Sequence, residues 1–160
     1  MTGFRIGQGF DAHRLVPDRK LIVAGVEVPF EKGLLGHSDA DVVAHAVMDA
    51  VLGALAHGDI GELFPPDDPK YKDACSMDLA RQVAKLASSN GYEIAQVDVT
   101  VIAQEPRLKE YVHEMRKNLA ECFSAEVEDI SVKATTTDRM GFIGKGEGMA
   151  ALALAVLKKR

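Results

Sequence analysis

The 160-residue chain has little of what marks several common protein classes. Its only cysteines, Cys75 and Cys122, stand far apart without a Cys-x-x-Cys spacing. That excludes a dithiol redox motif or a cysteine zinc knuckle and leaves two small apolar residues expected in the interior. The longest apolar run, Met149 to Leu157, is too short to cross a bilayer. The opening, Met1-Thr-Gly-Phe-Arg-Ile, enters a strand-like pattern without the apolar stretch of a secretion signal. Positive charge is not in excess: 19 Lys and Arg against 24 Asp and Glu leave −5, which argues against nucleic acid or an anionic membrane as the main partner. Repeats, linkers and low-complexity segments are absent, and 47% hydrophobic residues exclude intrinsic disorder. The expectation is one domain over residues 1–160 in a reducing cytoplasm, or in a plastid if a transit peptide has been removed. Any anionic ligand must then be met by local groups.

The hydrophobic pattern predicts a first strand from Phe4 and a second over Leu21 to Val28, joined as a hairpin with a long loop. Ser38 is placed to cap a helix over Asp39 to His57, with Val43, Ala46, Val47, Ala50 and Ala54 on one stripe. Gly58 to Ala74, rich in Pro and Asp, reads as a surface loop. Ser76 is placed to cap a second helix to about Asn90, with Gly91 just beyond it. A strand around Val97, Val99 and Val101 follows, then a helix starting at Pro106 and turning Leu108, Val112, Met115, Leu119 and Cys122 inward. Ile130 to Ala134 and the alternating tail Ala151 to Leu157 complete the strands. The predicted class is α+β, an α/β sandwich that is mostly sheet with helices packed on one face.

Three constellations carry chemistry. On an extended segment, Asp11 and His13 face the same side, as a carboxylate and an imidazole holding a divalent metal would. With Asp41 as origin, His45 and Asp49 fall near about 40° and 80° on the helix, away from the core stripe near about 200°. Asp11, His13 and His45 would leave a fourth position open, the arrangement of a working zinc site. His57 and His113 lack such neighbours and read as surface residues. Second, Gly36-His-Ser-Asp-Ala-Asp41 opens the helix, so its free N–H groups can meet an anion, or Ser38 can simply cap it. Third, Lys133-Ala-Thr-Thr-Thr-Asp138 and the glycines of Gly141 to Gly148 offer hydroxyls, a hard-cation carboxylate and close backbone approach to phosphate. This is not a P-loop. From these residues alone, three chemistries stay open: a metal-assisted phosphoryl transfer, a zinc phosphohydrolase with a metal-bound water, and a non-catalytic metal-dependent module binding a nucleotide or another diphosphate.

Gly9-Phe-Asp-Ala-His13, Gly36-His-Ser-Asp-Ala-Asp41 with His45 and Asp49, Gly58-Asp-Ile-Gly61, Leu63-Phe-Pro65, Lys133-Ala-Thr-Thr-Thr137 and Gly146-Glu-Gly148 occur in order along the chain. Together they resemble the 2-C-methyl-D-erythritol 2,4-cyclodiphosphate synthase family over essentially its whole length. The resemblance implies a homotrimer with active sites between subunits and the substrate 4-diphosphocytidyl-2-C-methyl-D-erythritol 2-phosphate. The products would be the cyclic diphosphate and CMP. It implies zinc on Asp11, His13 and His45, and magnesium or manganese on Asp138. His37, Thr136 and Asp138 match catalytic positions, and His37 and Ser38 match phosphate contacts. Asp49, Asp59, Ile60 and Gly61 match the sugar-binding region. Ala103, Pro106, Arg107 and Leu108 match the cytidine pocket, with Ala134, Thr135 and Thr136 beside the diphosphate. Phe10, Phe142, Lys145 and Glu147 match a cavity on the trimer axis that can hold an isoprenoid diphosphate. Three positions depart from the family pattern: Asp138 replaces Glu, Pro66 stands where Asp is usual, and Lys145 replaces Arg, which loses bidentate geometry.

Overall fold

Two glycines determine how the first long strand meets the first helix. In the computed structural model, which describes residues 3–160, β1 (Phe4–Pro17) lies under α1 (Val42–Leu55). A Cβ at Gly9 would overlap the carbonyl oxygen of Ala46 and come within 2.8 Å of the Ala50 nitrogen; one at Gly7 would overlap the Ala50 carbonyl. The helix therefore touches strand backbone directly. Met1 and Thr2, the start of the expected strand-like opening, lie outside the described residues.

β1 pairs antiparallel with β7 (Gly148–Lys159) from Phe4↔Lys158 to Arg14↔Gly148, and near its end with the short β4 (Lys32–Leu34). β7 also pairs antiparallel with β5 (Tyr92–Ile102), and β5 pairs parallel with β6 (Ile130–Thr135). The sheet order is β4-β1-β7-β5-β6. A parallel β5–β6 pair requires a crossover, which α4 (Val112–Phe123) supplies. α3 (Ser76–Ser89) packs beside α1, and these helices cover one face of the sheet, as the pattern predicts. In β7 the period-2 reading holds: Ala151, Ala153, Ala155 and Leu157 are buried while Leu152 and Leu154 are exposed. Small alanines on the inner row keep the helix layer close. On the opposite face Phe4, Ile6 and Phe10 remain 58%, 67% and 58% exposed beside those leucines.

Several expectations need correction. Leu21–Val28 is two strands, β2 (Leu21–Val23) and β3 (Val26–Val28), folded on each other through Ala24 and Gly25. Both turn residues have positive φ, 48° and 72°, as a two-residue hairpin with native twist requires. The expected pairing of β1 with this segment does not form. The first helix begins at Val42, because Ala40 sits in the left-handed region and Asp41, rather than Ser38, accepts the Ala44 N–H as N-cap. It ends at Leu55, with Ala56 left-handed ahead of Gly58. It is buried nearly all round, so the narrow stripe understates it. The expected loop 58–74 contains α2 (Ile60–Leu63), capped by Asp59, and a 3₁₀ turn capped by Asp68. Ser76 is the first residue of α3 and not its cap. Pro106, joined to Glu105 by a cis peptide bond, precedes the helix: a 3₁₀ turn at Lys109–Tyr111 comes after it, and the helix starts only at Val112. The glycine-rich segment contains a short helix, α5 (Gly141–Gly144). Cys122 is buried as expected, whereas Cys75 is exposed.

Asp41 is fully buried and joins two segments. Its carboxylate accepts the N–H groups of Ala24 (2.8 Å) and Gly25 (2.7 Å) in the β2–β3 turn and of Ala44 (3.1 Å) in α1. Burial pushes its carboxyl up to about 6, opposed by the Ala44, Gly25 and Ala24 donors, while the nearby Asp39 charge adds to the rise. Asp41→Ala leaves these amides unpaired in the interior and should cost on the order of 3–5 kcal/mol, measured by urea unfolding. A loss below about 1 kcal/mol would show that the turn does not depend on this carboxylate.

Candidate active site

Asp11 and His13 on β1 and His45 on α1 converge at one point. Asp11 Oδ2 lies 2.7 Å from His13 Nε2 and 2.9 Å from His45 Nδ1, and the two ring nitrogens are 3.1 Å apart. A tetrahedral ion with bonds of roughly 2.0–2.1 Å has ligand–ligand edges of about 3.3 Å. The three atoms need open only slightly to hold one.

The opposite nitrogens of both rings are also occupied. His13 Nδ1 is 2.8 Å from the Leu35 carbonyl, to which it donates, leaving the Nε2 lone pair facing inward. His45 Nε2 lies 3.2 Å from Ser38 Oγ and 3.0 Å from Ser76 Oγ. Three potential ligand atoms this close to one another make up the donor set of a divalent metal. No other cluster of this kind occurs among the described residues. Burial pushes the Asp11 carboxyl up, but the hydrogen bonds and charge of His13 and His45 outweigh it and hold it below the usual range. Burial pulls His13 down, and the Asp11 hydrogen bond and charge outweigh that and raise it.

The triad lies in a cleft of about 220 Å³ whose wall includes His37, Ser38, Ile60, Gly61 and Pro66. Sequence reasoning placed all of these near the site but missed the apolar wall of Met48, Phe64, Tyr71 and Leu79. His37 Nε2 is 3.1 Å from the Asp68 carbonyl. Asp49, one turn beyond His45, accepts the Ile60 N–H at 2.9 Å and so ties α2 to α1. Its carboxyl is raised by burial, against the Ile60 amide and with Asp59 and Asp11 adding repulsion. Asp59 accepts the Glu62 N–H at 3.0 Å and caps α2.

A second cavity of about 510 Å³ is lined by Ala103, Pro106, Arg107, Leu108, Ala134, Thr135 and Thr136 among others, residues that the resemblance assigns to cytidine and diphosphate contacts. Asp138, expected to hold a second cation, is exposed, with φ +50, its N–H donating to Thr136 Oγ1 at 3.2 Å; it is not brought to the triad. Phe142 and Lys145 are exposed, and so are His57 and His113 as expected. The two cavities share one sheet row, since Asp11 pairs with Ala151, Ala151 with Val101 and Val101 with Ala134. Three strand spacings make this roughly 14 Å. Ala151 and Val101 between them are fully buried.

The YgbB family model matches residues 4–158. The chain belongs to the YgbB family. A 2-C-methyl-D-erythritol 2,4-cyclodiphosphate synthase of Geobacter metallireducens is 56% identical over 156 residues, covering 98% of this chain and 99% of that protein. The Bacillus subtilis protein of the same name is 52% identical over 156 residues, with the same coverage. Among solved structures, IspF of Plasmodium falciparum in complex with CDP superposes with a TM-score of 0.88 at 32% identity, covering 100% of this chain and 99% of that one. The bifunctional IspDF of Campylobacter jejuni gives 0.95 at 44% identity; this YgbB chain spans 98% of its own length but 42% of that longer protein. Among the described residues no helix is long and apolar enough to cross a membrane.

His45→Ala should abolish stoichiometric binding of a divalent metal while the fold survives; full metal content in that variant would remove His45 from the ligand set. His13 and His45 bind a metal only through unprotonated ring nitrogens, and the Asp11 hydrogen bond and charge raise His13 toward its protonated form. Affinity measured by chelator competition should therefore fall as pH drops through the histidine range, and a flat profile would contradict the ligand assignment.

Proposed function

We propose that the protein converts 4-diphosphocytidyl-2-C-methyl-D-erythritol 2-phosphate to 2-C-methyl-D-erythritol 2,4-cyclodiphosphate and CMP, a phosphorus–oxygen lyase step of non-mevalonate isoprenoid synthesis in the cytoplasm. The observation that carries this reading is a metal-competent triad and a separate cavity with the cytidine-pocket residues at the same level of one sheet. A 2-phosphate oxygen forms a bond to the β-phosphorus, the bond from β-phosphorus to the bridging oxygen breaks, and CMP leaves with that oxygen. An anionic phosphate nucleophile needs positioning and charge neutralisation more than a general base. Divalent ions, zinc on Asp11, His13 and His45 and magnesium or manganese on Asp138, supply the positive charge that an acidic protein lacks.

The chain's own groups do the rest. His37 and Ser38 offer donors to phosphate at the cleft wall. Asp49 and the N-terminus of α2, with Ile60 and Gly61, hold the methylerythritol hydroxyls. Ala103, Pro106, Arg107 and Leu108 enclose the base, largely with backbone. Ala134, Thr135 and Thr136 present amides and hydroxyls to the diphosphate.

The assembly is a homotrimer in this reading. The uncovered apolar sheet face, with Phe4, Ile6, Phe10, Leu152 and Leu154, supports it. So does the buried row of Ala151 and Val101, which leaves no path along that row between the two cavities of one chain. A substrate needing both takes the metal cleft from one copy and the cytidine cavity from its neighbour. Phe142 and Lys145 then line an axial cavity suited to an isoprenoid diphosphate.

Phosphorus NMR of the protein with this substrate, zinc and magnesium should show CMP and a cyclic diphosphate, both abolished by chelator. CMP with an open monophosphate would instead establish a phosphohydrolase. Placing a charge on the uncovered face, Ile6→Asp with Leu154→Asp, should give a monomer by light scattering that still binds metal but turns over at least a hundredfold more slowly. A fully active monomer would overturn the shared site.

A further inference from the structure

His45 depends on two residues that contact neither cavity's expected ligands. Ser76, the first residue of α3, is fully buried, and its hydroxyl donates to Asp39 Oδ1. Asp39 Oδ2 also accepts the Ser76 N–H at 3.1 Å, and Oδ1 accepts the Asp41 N–H at 3.2 Å. Asp39 is therefore fixed between the loop before α1 and the start of α3, where Asp39 N–H donates to Ala74 O at 3.1 Å and Asp73 N–H to His37 O at 2.8 Å. A serine has one hydroxyl proton. With that proton committed to Asp39, Ser76 Oγ presents only lone pairs to its other neighbours, His45 Nε2 at 3.0 Å and Ser38 Oγ at 3.3 Å. Nε2 must then be the N–H donor. Its ring is thereby left with the Nδ1 lone pair directed at Asp11 and His13.

We propose that Asp39 and Ser76 are positioning residues that fix a proton on His45 Nε2 and so present Nδ1 as a metal ligand. The chain carboxylate–serine–histidine performs for His45 what the Leu35 carbonyl performs for His13. It rests on the reading that the triad holds a divalent ion. It also explains why a polar residue is fully buried at the start of α3 without capping that helix.

The test is zinc affinity by chelator competition, with nitrogen-15 NMR of the His45 ring in the whole protein. Ser76→Ala should weaken zinc about tenfold, the lower end for loss of an outer-shell partner, because Ser38 Oγ remains as an acceptor. Asp39→Asn keeps size and shape but places an amide donor against Ser76. The serine hydroxyl is then turned toward His45, and binding should fall on the order of a hundredfold, with Nε2 losing its pyrrole-like shift. Urea unfolding of the metal-free variants separates this from loss of fold, since a packing role would not make the isosteric change the more harmful one. Native zinc affinity in Asp39→Asn, or an unprotonated Nε2 in the native protein at neutral pH, would overturn the proposal. If the native protein binds neither zinc nor cobalt, the metal reading of the triad fails instead, and the Nε2 shift of the metal-free protein still decides the relay: pyrrole-like supports it, pyridine-like overturns it.

Discussion

Helix α1 reaches strand β1 closely enough to share a ligand set with it because Gly7 and Gly9 carry no side chain. Any Cβ at Gly9 would meet the Ala46 carbonyl, one residue beyond His45. Overlap of that kind forces elements apart, because packed interiors deform little. A shift of an ångström there would separate Asp11 and His13 on the strand from His45 on the helix. Alanines on the adjacent β7 row serve the same closeness. The metal triad is thus a property of a helix–sheet contact, with the ligands carried on rigid elements instead of loops.

The same contact orders the surroundings. α1 brings Asp49 to the N-terminus of α2, so the segment closing the cleft is tied to the helix that supplies a ligand. At its other end Asp41 joins α1 to the β2–β3 turn, and Asp39 joins the preceding loop to α3. Three aspartates between residues 39 and 49 therefore have separate duties: hairpin anchoring, relay to His45 and α2 anchoring. The charge this concentrates is offset by backbone N–H groups, by the histidines and by the cation that the site is built to hold.

Much of this was legible in the sequence, and the boundary is physical. Alternation in Ala151–Leu157 and the inward faces of α3 and α4 were readable, because a half-buried element repeats its environment with its own period. The ligand triad was readable in part from spacing, since i, i+2 on a strand fixes a side. The β2–β3 turn was hidden inside a continuous apolar run, where Ala24 adopts a positive φ that its residue type does not advertise. Ser38 and Ser76 looked like helix caps. What redirected them was Asp39 and His45, distant or across elements, and no local pattern encodes such side-chain pairing. Pro106 looked like a helix start, whereas the chain uses Pro106 to Leu108 to wall a cavity first.

Zinc-edge anomalous diffraction from crystals of the native protein grown with zinc tests the construction most directly. A single strong peak within bonding distance of Asp11 Oδ2, His13 Nε2 and His45 Nδ1 is the result expected. A peak bound elsewhere, or none at this point with zinc present in excess, would contradict the site's assignment as a metal centre.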